Sequence, residues 1–151
     1  MPPVNIQTIT VYPRWQDPET GQVKPIRCVL HHAIWREEGN SLARSTGIVL
    51  KESLFVQCFL EDGMEYVPPG VWNSLSELDG KWTADFSNPE QSTVIVGHES
   101  DYDFEWGTEG SVTDAENRFM LATPDAKRIV GIPEDNRRGL TDRTKHILLR
   151  G

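Results

Sequence analysis

Leu54–Leu60 reads LFVQCFL, with apolar side chains at both odd and even positions. A strand turns successive side chains to opposite faces, so a strand apolar on both faces belongs at the buried centre of a sheet. Glu61-Asp62-Gly63 follows it as a turn. Upstream, Ile26–Trp35 (IRCVLHHAIW) is long, apolar and partly β-branched, and Ile6–Tyr12 (IQTITVY) alternates until Pro13 stops it. Downstream, Thr93–Val96 (TVIV), Lys127–Ile132 (KRIVGI) and His146–Leu149 (HILL) read as three more short strands. Six short strands separated by turn residues predict a mainly β fold, a small barrel or sandwich.

Two short helices join them. Val71–Leu78 follows Pro68-Pro69-Gly70 and sets Val71, Leu75 and Leu78 at helical spacing. In Asp114–Leu121, Thr113 and Glu116 have the spacing of a capping box, and Pro124 ends the run. Segments 36–47 (REEGNSLARSTG) and 97–113 (GHESDYDFEWGTEGSVT) are too polar to bury and read as long loop insertions, the places to expect partner contacts. The expected organisation is a single β-barrel domain over residues 1–151, with loop insertions near 36–47 and 97–113.

Charge is unevenly spread. The chain of 151 residues carries a net −8, yet residues 85–117 hold nine acids and no base, whereas 118–151 hold eight bases and four acids. A net acidic chain repels phosphate backbone and is a poor general nucleic-acid binder. No apolar run approaches the ~18 residues of a membrane helix, and residues 1–12 lack the basic and apolar regions of a secretion signal. Cys28 and Cys58 are widely spaced and fit reduced thiols of a cytosolic protein better than a disulfide framework.

Catalytic and metal signatures are sparse. Cys28, His31, His32 and Cys58 do not match zinc spacing, and alternation puts Cys28 and His32 on one face and His31 on the other. Both cysteines are therefore expected to be small buried hydrophobes. Asp101-Tyr102-Asp103-Phe104-Glu105-Trp106 has a calcium-loop look, but the EF-hand's Gly and Glu positions fall on Trp106 and Val112. Alternation there sets Asp101, Asp103 and Glu105 on one side and Tyr102, Phe104 and Trp106 on the other. That pattern suits either an arm that packs its aromatics on a neighbour or a solvated acidic loop with partly buried aromatics. No nucleophile elbow, P-loop, dinucleotide fingerprint or H-E-x-x-H occurs. The basic stretch Arg137–Lys145 lacks interleaved aromatics and reads as an exposed hairpin loop.

Taken in order, ITVYPRW, IRCVLHHAIW with Trp35, LFVQCFL, Tyr66–Pro69, Trp82-Thr83, and RIVGIPEDNRRG followed by KHILLRG resemble a family of small tailed-bacteriophage and prophage proteins, the minor capsid or neck connector proteins. The likeness is greatest at the end, where a strand, the Asp135-Asn136 turn, a Gly and a His-containing strand recur. The resemblance implies a head–tail stopper-like small β-barrel, without enzymatic activity or cofactor. It would form a ring with copies of itself on the assembled neck, between portal or adaptor and the tail terminator or tail tube. It would reside in the virion after assembly in the host cytoplasm and retain double-stranded DNA without binding it specifically. Contacts would involve Asp101, Tyr102, Asp103, Phe104, Glu105 and Trp106. The alternatives are another neck or tail protein, an adaptor or terminator, or a cellular β-barrel binding module or hydrolase whose pocket would gather His31, His32 and His98.

Overall fold

The computed structural model describes residues 6–44, 47–86, 88, 91–105, 112–137 and 145–151. The elements in chain order are β1 Gln7–Tyr12, β2 Arg14–Gln16, β3 Val23–Pro25, β4 Cys28–Arg44, β5 Gly47–Phe59, β6 Glu65–Tyr66, α1 Pro69–Trp72, β7 Lys81–Trp82, β8 Val94–Val96, α2 Val112–Ala122, β9 Ala126–Arg128, β10 Glu134–Asn136 and β11 His146–Arg150. Seven strands form one antiparallel sheet in the order β10-β11-β5-β4-β1-β8-β9. It curls into half a barrel. All six strands expected from the sequence lie in this sheet, and β10 is the seventh. β2–β3 and β6–β7 form two small separate pairs.

LFVQCFL forms an interior strand, third of the seven, but it is buried on one face only: Phe55, Gln57 and Phe59 on its other face are half-buried. β5 runs between β4 and β11, and Leu54, Val56 and Cys58 are buried along it. Ile9 and Val11 of β1, Leu30 and Ala33 of β4, Ile95 of β8, and Ile147 and Leu149 of β11 share that face. Trp15, Tyr66, Trp72 and Trp82 close it from the two small pairs and α1. On the other face of the β1–β8–β9 end, Tyr12, Val94, Val96 and Ala126 pack under Ala115 and Phe119 of α2. Cys28 and Cys58 are buried free thiols, as expected, and burial pushes the Cys28 thiol up to about 12.

Four further expectations are corrected. Segment 36–47 is not a loop: β4 continues through it to Arg44, and the register runs from Ala33↔Cys58 to Arg44↔Gly47. This stretch projects past the sheet, so neither face needs the apolar alternation by which a half-buried strand is recognised. The first helix is only Pro69–Trp72; after it the bonds shorten, Ser74 N to Val71 O and Leu75 N to Trp72 O, as Asn73 and Ser74 give no support to a longer helix. Lys127–Ile132 is a strand only to Arg128, and Val130 and Ile132 are exposed beyond it. The second helix is present, but Thr113 and Glu116 do not cap it, because Glu116 turns inward to two arginines.

One irregularity in the sheet has a built partner. Between Gln7↔Ala33 and Ile9↔Leu30 the register slips, so Thr8 faces both His31 and His32. Such a bulge strands backbone donors. Glu61, two residues past the end of β5, accepts both, from His31 N at 2.9 Å and His32 N at 3.0 Å. Its side chain is nearly buried, and His32 Nδ1 lies 3.4 Å from the same oxygen. The turn after it uses Gly63 at a φ of 87°, a left-handed conformation that glycine adopts without strain.

Candidate functional site

The acidic segment leaves β8 at Gly97, and the polar side chains of β1 hold it. Gln7 Nε2 donates to Gly97 O at 2.8 Å. Thr10 Oγ1 donates to His98 O and accepts from Ser100 N, both at 2.8 Å. The Tyr12 hydroxyl lies 2.7 Å from both Ser100 Oγ and Tyr102 O. A carbonyl can only accept, so the phenol donates to Tyr102 O and receives the serine proton. Arg27 Nε donates to Ser100 O, and its guanidinium lies 3.9 Å from Glu99 and 4.0 Å from Asp101. His98 Nδ1 meets Asp125 Oδ2.

These bonds follow from the alternation of β1. Ile9 and Val11 serve one face of the sheet, which leaves Thr10 and Tyr12 to bind the segment on the other. The result is an extended strap from Gly97 to Glu105 laid along the chain's own sheet.

The aromatic residues divide accordingly. Phe104 is buried edge-on against Tyr12 and Phe119, with ring centroids 5.3 and 5.4 Å away. It is a core residue and is corrected from its expected place among partner contacts. Tyr102 is half exposed and stacks on Phe119 at 5.0 Å and 16°. Asp101, Asp103 and Glu105 are exposed, and Trp106 lies outside the described residues. The strap therefore offers an anionic outer edge with one partly open aromatic ring, seated on a hydrogen-bonded base.

Burial of the Tyr12 phenol raises its pKa to about 12, with Asp103 and Asp101 adding to the rise and Ser100 and Arg27 opposing it. A phenol that holds its proton more tightly when folded stabilises the fold fully below pH 10. That contribution declines as the pH rises through about 12. Base titration followed by phenolate absorbance and circular dichroism should show this phenol ionising together with loss of structure, between pH 10 and 12. Tyr12→Phe should cost about 1–3 kcal/mol at neutral pH, since Ser100 Oγ and Tyr102 O lose their partner. Ionisation near pH 10 with the fold intact would mean the phenol is solvated.

Sequence reasoning missed two buried acids. Glu61 clamps the bulge. Glu116, fully buried on α2, receives Arg14 of β2 and Arg128 of β9 on one oxygen, Oε1. Arg14 also donates to Thr113 Oγ1 at 2.9 Å, and Arg128 to Ser92 O at 2.7 Å. The available signal was an acid on the inner face of a short amphipathic helix, and the capping-box spacing drew it to the wrong role.

Beside Arg14 lies a cleft of about 320 Å³, lined by Gln16, Asn73, Asp85, Gln91 and Thr93 among others. It does not gather the three histidines. His31 and His32 sit by Glu61, and His98 sits by Asp125. Among the described residues no three His, Cys, Asp or Glu side chains group as metal ligands, and no helix is long and apolar enough to cross a membrane. Comparison of the chain with protein-family models, with curated proteins and with solved structures finds no match.

Proposed function

We propose that this protein is a structural subunit of a tailed-phage virion neck, a head–tail connector of the stopper type that joins portal or adaptor to tail and retains packaged DNA. The observation that carries the reading is the division of the molecule into a braced β body and an extension that the body does not need. The curled sheet has a core along one face and a second under α2 at its β1–β8–β9 end, while the β4–β5 hairpin runs on past every other strand of the sheet. A ring subunit needs a rigid body and parts that reach its neighbours. The net −8 charge suits a conduit wall that lets DNA pass without gripping phosphate. The sequence resemblance points the same way, and the dominance of strands over helix favours a stopper over a helical adaptor.

The deciding experiment images an assembled neck in which this chain is labelled. A ring of copies between portal–adaptor and tail is expected; absence of the chain from the particle would refute the reading. A second test replaces Asp101, Asp103 and Glu105 together with Lys. Exposed charges contribute little to stability, about 0–1 kcal/mol each, so the melting temperature should stay within a few degrees. Particle assembly or DNA retention should fall sharply, and wild-type infectivity would remove the strap's anionic edge from the functional surface.

A further inference from the structure

Among the described residues, the outer face of the sheet is covered at one end only. Over β1, β8 and β9 lie α2 and the strap. Over β4, β5 and β11 the register aligns Ile34, Gln57 and Leu148 in one row and Arg36, Phe55 and Arg150 in the next, with His146 beside Phe59. Directly opposed residues share a face, so these rows form one continuous surface. Ile34, Phe55, Phe59 and Leu148 are half-buried and belong to neither core. A shallow depression of about 240 Å³ lies between Arg36, Phe55, Gln57 and Leu148. Arg36 is exposed and meets no acid among the described residues. The Arg150 guanidinium lies 5.9 Å from the Phe55 ring centroid and holds Glu134 at 2.9 Å. Ile6, Leu60, Val71, Leu121, Val130 and Ile132 are exposed as well, but none of them lies in a strand. Single apolar residues are ordinary at a surface; a contiguous patch marks a contact.

This patch is apolar and cationic. The chemistry that fits it is a carboxylate beside an aromatic ring. The strap offers that combination: Asp101, Asp103 and Glu105 are exposed beside the half-exposed ring of Tyr102. It cannot turn onto the patch of its own chain, because Thr10 and Tyr12 tie its backbone to β1. The curl of the sheet sets the directions. At one end it brings Val130, just past β9, close enough to donate its backbone N–H to Arg150 O of β11 at 2.6 Å. Along that curl β5 and β8 stand three strands apart, so their outer faces look away from each other. Two copies of a chain of net −8 repel unless acid meets base. The strap lies in the stretch with nine acids and no base, and β11 in the stretch where bases outnumber acids.

We propose that the strap of one copy docks on the Ile34–Phe55–Leu148 face of a second copy of this chain. Asp101, Asp103 and Glu105 meet Arg36 and Arg150, and Tyr102 meets the apolar rows. Strap and face are different patches that point apart, so the contact is head-to-tail and propagates from copy to copy, the kind of contact that closes rings. This inference deepens the neck-ring reading and rests on it for its biological setting.

The test mixes two full-length variants, each with one side of the contact reversed in charge. The first carries Arg36→Glu and Arg150→Glu; the second carries Asp101→Lys, Asp103→Lys and Glu105→Lys. Sedimentation velocity is run at high protein concentration and an ionic strength of about 0.01 M, where charges act over ~30 Å. Wild type should form species larger than a dimer. Either variant alone, with native dichroism, should associate about tenfold more weakly or worse. An equimolar mixture should recover the wild-type behaviour, since each strap then meets a face of opposite sign. Misfolding cannot produce that recovery. If Arg150→Glu unsettles the fold beside Glu134, Arg36→Glu alone serves as the first variant. Wild type that stays monomeric overturns the proposal, as do assembly that stops at a dimer, variants that associate like wild type, and a mixture that does not recover. Occupation of the face only by an added portal–adaptor complex gives it a different partner, and equally overturns it. Recovery with a chain missing from the imaged neck refutes the functional reading alone; a neck ring without recovery refutes this inference alone.

Discussion

Val56→Asp is expected to leave the chain unfolded at 25 °C. Val56 is fully buried on β5, between Trp35 of β4 and Leu149 of β11 in the register. A carboxylate there loses its hydration, a penalty of several kcal/mol for an unpaired ion. The lost valine packing adds about 2 kcal/mol more. Total stability of a domain this size is about 5–15 kcal/mol, so the substitution consumes most or all of it. Far-UV dichroism should lack the strand signal and thermal melting should show no cooperative transition. Val56→Ala serves as the control; it removes two methyl groups, should cost about 2 kcal/mol and should remain folded. A soluble Val56→Asp chain with a cooperative melt would mean that β5 is not a buried interior strand.

That prediction could be made from LFVQCFL alone, and the reason separates the legible parts of the molecule from the rest. Where a strand is buried on one or both faces, desolvation dictates residue type, and Leu54, Val56, Cys58, Ile147 and Leu149 record it. The β4–β5 hairpin from Glu38 to Ser53 is under no such constraint from its own chain. Gly39, Asn40 and Ser41 then look like loop residues, although they are paired along a ladder. The apolar runs that flank Ser45-Thr46 were the hairpin signal, since Leu42-Ala43 and Ile48-Val49 can face each other only if the chain turns between them.

The strap was half legible for a related reason. Among the described residues, its alternation separated Asp101, Asp103 and Glu105 from Tyr102 and Phe104, but which neighbour the aromatics would meet depended on tertiary placement. The hydroxyls of Thr10 and Tyr12 capture the backbone at His98, Ser100 and Tyr102 and draw Phe104 into the chain's own core. The ordinary rule that acids lie in solvent also hid Glu61 and Glu116. Each is buried because it satisfies donors that would otherwise be stranded: two backbone amides in one case, two guanidinium groups in the other.

Glu116→Ala should be the costliest single truncation outside the main core. The helix that carries Glu116 has eleven residues, a length that is marginal alone in water. Its apolar contacts run mainly through Ala115 and Phe119. Glu116 joins it to β2 through Arg14 and to β9 through Arg128, and so ties two strands to one carboxylate. Removing that carboxylate takes from two guanidinium groups, 21 % and 13 % exposed, the oxygen on which both converge. Breaking a buried ion cluster from one side costs about 3–5 kcal/mol, which for a chain of this length lowers Tm by roughly 6–20 °C. Glu116→Gln retains an oxygen to accept from the arginines and should lose less, so the order wild type, Gln, Ala in Tm is itself a prediction. The strap should loosen with the helix, because Tyr102 and Phe104 pack on Phe119; Tyr102 should then become more accessible to iodination in the Ala variant. An Ala variant within 1 kcal/mol of wild type would show that α2 is held by Phe119 and its apolar neighbours alone.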